Sequence, residues 1–137
     1  MRITKKQKEK IKELAKKYDL KMVLLFGSQA TGKTHKESDI DIAFLPEKKI
    51  SFKDDYYLNY EFTNIFQNDK IDTVNLRGVN PLLMYAIFKN PKILYEKDRF
   101  IFYNYENYAF KRYVEEAKPL CEIKFSKLSK KINSLKI

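Results

Sequence analysis

Residues 22–45, MVLLFGSQATGKTHKESDIDIAFL, decide how the rest of the chain is read. Residues 22–26 form an unbroken apolar run, the pattern of a buried strand. Gly27 and Ser28 end that run, and ten residues intervene before Asp39-Ile40-Asp41-Ile42-Ala43-Phe44. In a strand, positions i and i+2 share a face. Asp39 and Asp41 therefore aim together at one point, while Ile40 and Ile42 point back into a core. Two carboxylates held this close repel and raise each other's pKa unless a cation lies between them. An oxygen-only donor set of this kind suits Mg²⁺, which commonly takes one or two carboxylates and completes its shell with substrate phosphates.

The same stretch supplies a place for phosphate. Gly27 lets the backbone approach a ligand closely. Ser28 offers a hydroxyl and a backbone N–H, and a short helix beginning at Gln29 would turn its N-terminus toward an anion. An acid pair that binds metal beside a turn that holds phosphate is the equipment of nucleotidyl transfer. The bland alternative is a surface strand with two solvated acids. Asp is a poor strand residue, however, and that alternative leaves the Gly-Ser turn upstream unexplained.

Gly27-Ser28, ten residues, then Asp39-x-Asp41 resembles the signature of the polymerase-β-type nucleotidyltransferase superfamily. Within it, the fuller run GSQATG…SDIDIAF and the short chain resemble the minimal nucleotidyltransferases, the antitoxin halves of HEPN/MNT toxin–antitoxin pairs whose toxins are HEPN-domain ribonucleases. That resemblance implies a third carboxylate on a neighbouring strand. Asp72, in Ile71-Asp72-Thr73-Val74-Asn75-Leu76, resembles its setting. The related antitoxins often carry Arg where this chain has Thr31, so one contact to phosphate or partner is missing here.

Composition sets the bounds. With 137 residues, 44% of them hydrophobic and 15% aromatic, the chain can build one core and is not a disordered sequence. No apolar run approaches the roughly 20 residues of a membrane span, and residues 1–18 lack the apolar segment of a signal peptide. The lone cysteine, Cys121, has no internal disulfide partner and reads as a small buried apolar side chain. A soluble, cytoplasmic protein is the expectation. The net charge of +10 gathers at the ends: residues 1–21 contribute +6 and residues 118–137 contribute +5. Basic ends suit nucleic acid, but solvated helix faces are the favoured reading.

Taken in order, residues 3–18 predict a helix capped near Thr4, with Ile3, Ile11, Leu14, Ala15 and Tyr18 on one stripe. In the linker 29–38, Lys33 and Lys36 are candidates to reach a triphosphate as point charges. His35, the only histidine, sits in a polar loop and is assigned no role. Residues 51–67 predict a second helix with Ser51 as N-cap and Asp54 and Asp55 in the first turn. Its stripe of Phe52, Tyr56, Tyr60, Thr63 and Phe66 is expected to face the core. Residues 71–77 predict a third strand, Asn80-Pro81 opens a helix to Lys89, and residues 92–95 predict a fourth strand. A long helix is expected from about Asp98 to Ala117. Its seven aromatics, Phe100, Phe102, Tyr103, Tyr105, Tyr108, Phe110 and Tyr113, cannot all share one core stripe. The exposed ones are expected to help form a toxin-binding surface. After Pro119, residues 120–137 read as a basic terminal helix.

These elements predict an α+β fold with a small mixed β-sheet flanked by helices: a nucleotidyltransferase domain over residues 1–117, with residues 118–137 a C-terminal extension packed on it. The resemblance then implies a mechanism. Asp39 and Asp41 hold Mg²⁺, two ions in all with Asp72 completing the metal site, on the triphosphate of ATP. Gly27, Ser28 and Lys33 hold the nucleotide, and Asp72 helps activate an acceptor hydroxyl. AMP passes to a tyrosine of the cognate HEPN toxin and neutralises it. Three rivals stand beside this reading: an antitoxin acting by binding alone, an adenylyltransferase for a small molecule, and one for an RNA end.

Overall fold

The computed structural model describes residues 2–27, 30, 39–119, 122–123 and 127. Its elements keep the expected order. They are α1 (Lys5–Lys17), β1 (Leu20–Phe26), β2 (Ile40–Pro46), α2 (Phe52–Phe66), β3 (Ile71–Asn75), α3 (Pro81–Lys89), β4 (Lys92–Glu96) and α4 (Ile101–Arg112). A π-helical turn, Tyr113–Ala117, continues α4. The sheet order is β3-β2-β1-β4. β1 is antiparallel to β2 and to β4, while β2 and β3 run parallel, so the sheet is mixed. Of the expected extension at 118–137, the described residues are Lys118, Pro119, Glu122, Ile123 and Lys127; Cys121 lies outside them.

Local chemistry explains where the helices begin. Thr4 accepts from the Gln7 amide at 3.1 Å while the Gln7 side chain accepts from the Thr4 amide at 3.0 Å, a reciprocal capping box. Ser51 accepts from Asp54 N at 3.2 Å, with Asp54 and Asp55 placed at the positive end of α2. Asn80 accepts from Leu83 N at 2.8 Å, and Pro81 takes the first position of α3. At α4 the helix begins at Ile101, later than expected, because the Asp98 side chain accepts from Phe100 N at 3.0 Å and closes a turn first.

Helices cover both faces of the sheet. On one face, Ile11 and Leu14 of α1 and Leu58, Phe62 and Ile65 of α2 pack on Val23, Leu25, Ile40, Ile42 and Phe44. On the other, Met84, Ile87 and Phe88 of α3 and Ala109 of α4 pack on Met22, Leu24, Ala43 and Leu45. β1 and β2 are buried on both sides, which is why both read as nearly continuous apolar runs. Leu20 and Met22 would share a face by simple alternation, yet they join opposite clusters. The register shift between them reconciles the two, since an extra residue in one strand reverses the facing of every later side chain.

The second helix corrects the sequence reading. Its core face is Leu58, Phe62, Ile65 and Phe66. Phe52, Tyr56 and Tyr60, expected inside, are exposed, Phe52 by 96%. Tyrosine carries a polar tip and an apolar body, so hydropathy alone ranks it beside leucine only loosely. The stripe through Leu58 and Phe62, all apolar, is the one that meets the sheet. Truncating Phe62 to Ala is expected to cost about 3–5 kcal/mol of stability. Tyr56→Ala is expected to stay within about 0.5 kcal/mol of wild type. Urea denaturation of both variants measures the difference.

Candidate active site

Three segments converge where β1 ends and β2 begins. Phe26, the last residue of β1, pairs with Asp41 of β2, and Asp41 pairs in turn with Asp72 of β3. Asp39 lies two residues before Asp41, just ahead of β2. Ile40 and Ile42 turn into the α1/α2 face, so alternation puts Asp41 on the face covered by α3 and α4. Asp72, level with it in the parallel register, shares that face across one strand spacing of about 4.8 Å.

Gly27 makes the arrangement sterically feasible. Its φ is +75°, in the left-handed region, and a Cβ built there would lie 2.3 Å from Asp41 Oδ2 and 3.3 Å from its Cγ. Any side chain at 27 would be strained and would also displace the carboxylate. Ala30 N donates to Gly27 O at 3.2 Å. Ser28 and Lys33, the other expected nucleotide contacts, lie outside the described residues, as do Thr31, His35 and Lys36.

The electrostatics result from this crowding. Asp41 is half-buried, whereas Asp39 and Asp72 are exposed. Burial pushes the Asp41 carboxyl above its ordinary 3.8, and the charges of Asp72 and then Asp39 push it the same way. One carboxylate is thus held where its own charge is unfavourable, with two others adding to the repulsion. Among the described residues no three His, Cys, Asp or Glu enclose a metal ion by themselves. The donor chemistry nevertheless fits Mg²⁺: hard carboxylate oxygens, in excess negative charge, next to a glycine that leaves room beside them. Such an ion takes few protein ligands and completes its octahedron with phosphate and water.

Elsewhere the structure separates the aromatics of α4. Phe102 and Tyr105 pack toward the core, with Phe88 at ring-centroid distances of 5.6 and 6.3 Å, and Tyr113 stacks on Tyr85 at 4.0 Å. Tyr103, Tyr108 and Phe110 are exposed, together with Phe100 just before the helix. One polar residue near the acids escaped the sequence reading. Asn59 of α2 reaches β3 on both sides of Asp72, and its only advance signal was an amide directly after Leu58 on a core-facing turn.

Residues 9–100 match the family described as "Polymerase beta, Nucleotidyltransferase". The chain belongs to that family of nucleotidyltransferases. Among individual proteins, it is 36% identical over 90 residues to the protein adenylyltransferase MntA of Aphanizomenon flos-aquae (strain 2012/KM1/D3), a match covering 57% of this chain. The match spans 58% of that relative's length. Its fold is similar to a toxin–antitoxin complex chain crystallised with AMP-PNP, at a TM-score of 0.73 and 23% identity, covering 87% of this chain and 97% of the other. It is also similar to a chain from the complex of tri-AMPylated Shewanella oneidensis HEPN toxin with MNT antitoxin, at 0.68 and 20%, covering 88% and 95%. At these identities the structural likeness is one of fold.

The crowding around Asp41 has two measurable consequences. The folded protein holds the Asp41 proton more tightly than the unfolded chain does. Ionising the group therefore costs stability, and that cost appears as pH rises from the unfolded value through the folded one. In metal-free protein, Asp41→Asn is expected to raise the melting temperature at neutral pH. The gain should vanish at acid pH, where both states are protonated, as read by calorimetry across pH. Gly27→Ala is expected to destabilise by about 1–3 kcal/mol. Part of that loss should return in the Gly27→Ala, Asp41→Ala double variant, a coupling that chemical denaturation of the four-protein cycle resolves.

Proposed function

We propose that this chain is the antitoxin of a HEPN/MNT pair and transfers AMP from ATP to a tyrosine hydroxyl of a HEPN ribonuclease toxin in the cytoplasm. The observation that carries the reading is the Asp41–Asp72 register beside the bare Gly27 turn. Family membership supports the transferase chemistry. The relative named a protein adenylyltransferase supports a protein acceptor, and the AMPylated HEPN toxin in a fold relative's complex supports this acceptor class.

Each residue has a role. Gly27 clears space for the terminal phosphates and for the Asp41 carboxylate, and Ser28 and Lys33 hold phosphate oxygens. Asp39, Asp41 and Asp72, together with phosphate and water, would hold Mg²⁺, whose charge would offset that of the triphosphate and of the leaving pyrophosphate. Asp72, exposed on the edge strand, accepts the proton of the incoming phenol. The phenolic oxygen bonds to the α-phosphorus as the α–β phosphoanhydride breaks, and pyrophosphate leaves. The attached AMP places bulk and negative charge on the toxin, which disfavours RNA at that site. The exposed aromatics Tyr103, Tyr108 and Phe110 of α4 offer the contact area for the toxin.

The test is the intact mass of a purified HEPN toxin after incubation with this protein, ATP and Mg²⁺. Mass gains in AMP units are expected on the toxin. The Asp39→Ala, Asp41→Ala variant is expected to lose at least about a hundredfold in rate, and omission of Mg²⁺ should abolish transfer. No mass gain, with toxin inhibition surviving in the double variant, would instead establish neutralisation by binding alone.

A further inference from the structure

We infer that Asn59 of α2 is a positioning residue for Asp72, fixing the edge strand β3 in the register that sets Asp72 beside Asp41. The inference rests on the reading of Asp72 as the third acid of the transfer site. Among the described residues β3 is terminal in the sheet, and β2 is its one strand neighbour there. Asp72 is exposed, and its side chain is not locked by packing. Repulsion between Asp72 and Asp41 works to spread the two strands. Whatever holds Asp72 in place must therefore act through the backbone and side chains on either side of it.

Asn59 does this. Its Nδ2 donates to the Ile71 carbonyl at 3.2 Å and to Thr73 Oγ1 at 3.2 Å, gripping the residue before Asp72 and the residue after it. Alternation along β3 turns Ile71 and Thr73 toward α2 and Asp72 away from it, toward Asp41. The grip is on the opposite side of the strand from the carboxylate and does not compete with its ligands. Its base is rigid. Leu58 and Phe62 of the same helix are fully buried, and Thr63 Oγ1 donates to the Asn59 carbonyl at 2.9 Å. An apolar residue at 59 would serve to cover the sheet edge. The amide adds direction along the strand, which sets register rather than burial.

The experiment measures kcat and KM for ATP in AMP transfer to a HEPN toxin, alongside amide hydrogen exchange of the metal-free protein. The proteins are wild type, Asn59→Ala, Thr73→Val, Asp72→Asn and the Asn59→Ala, Asp72→Asn double variant. Asn59→Ala is expected to lower kcat roughly ten- to hundredfold, leave KM for ATP within about threefold, and speed exchange at Ile71, Asp72 and Thr73. Thr73→Val keeps a β-branched strand residue and removes one of the two bonds, so it gives a smaller loss of the same kind even if Asn59→Ala folds poorly. In the Asp72→Asn background, Asn59→Ala is expected to cost nothing further in kcat. A fall in melting temperature with kcat unchanged would overturn the inference, and so would an equal loss with and without the Asp72 carboxylate. Either result leaves Asp72 its role. Wild-type kcat in Asp72→Asn alone would overturn the reading of Asp72 and the inference with it.

Discussion

The close approach of Gly27 to the Asp41 carboxylate is the contact on which the site depends. β1 delivers a backbone without a side chain against Asp41 Oδ2, in a left-handed conformation that suits glycine. β3 delivers a second acid on the other flank of the same residue. Asp41 is therefore pressed between bare backbone and like charge, with part of its own surface removed from water. Proteins accept such arrangements where function requires them, and the unfavourable ionisation is offset by burial elsewhere.

That burial comes from the strands that carry the site. β1 and β2 are covered on both faces, by α1 and α2 on one side and α3 and α4 on the other. Fully burying each of their large apolar side chains contributes about 1.5–3 kcal/mol. The acid pair thus grows from the best-anchored part of the molecule, and small shifts at the strand ends are resisted. β3 is different. It is short, lies at the edge of the described sheet and carries an exposed acid; besides its parallel ladder with β2 and the buried Ile71, it is held by the polar grip from α2 and by the bonds Ile40 N to Lys70 O and Leu76 N to Phe44 O, each 2.9 Å. A two-sided core and a polar latch divide the work of holding three acids in one place.

The far end of the strands is fastened by other means. Arg77 donates from Nε to the Pro46 carbonyl at 2.8 Å and from Nη2 to the Glu47 carbonyl, joining the ends of β2 and β3. Glu47 also pairs with Lys97 beyond β4, which lowers the Glu47 carboxyl and raises the Lys97 ammonium. Lys97 is exposed and Glu47 partly so, and solvent screening leaves such a pair a minor contributor to stability.

Local chemistry made much of this legible in the sequence by itself. The element order, the caps at Thr4, Ser51 and Asn80, and the burial of β1 depend on neighbours within a few residues, and the spacing of Gly27-Ser28 to Asp39-x-Asp41 stands in the sequence itself. Tertiary structure alone decided the rest. Which face of α2 turns inward could not be read from periodicity, because Phe52, Tyr56 and Tyr60 form as regular a stripe as Leu58, Phe62 and Ile65. Only packing against the sheet separates an amphipathic tyrosine from a true core residue. The register of β3 against β2, the clearance at Gly27 and the reach of Asn59 join segments distant along the chain. Their relative position is set by the summed burial of the whole core, which no local pattern encodes.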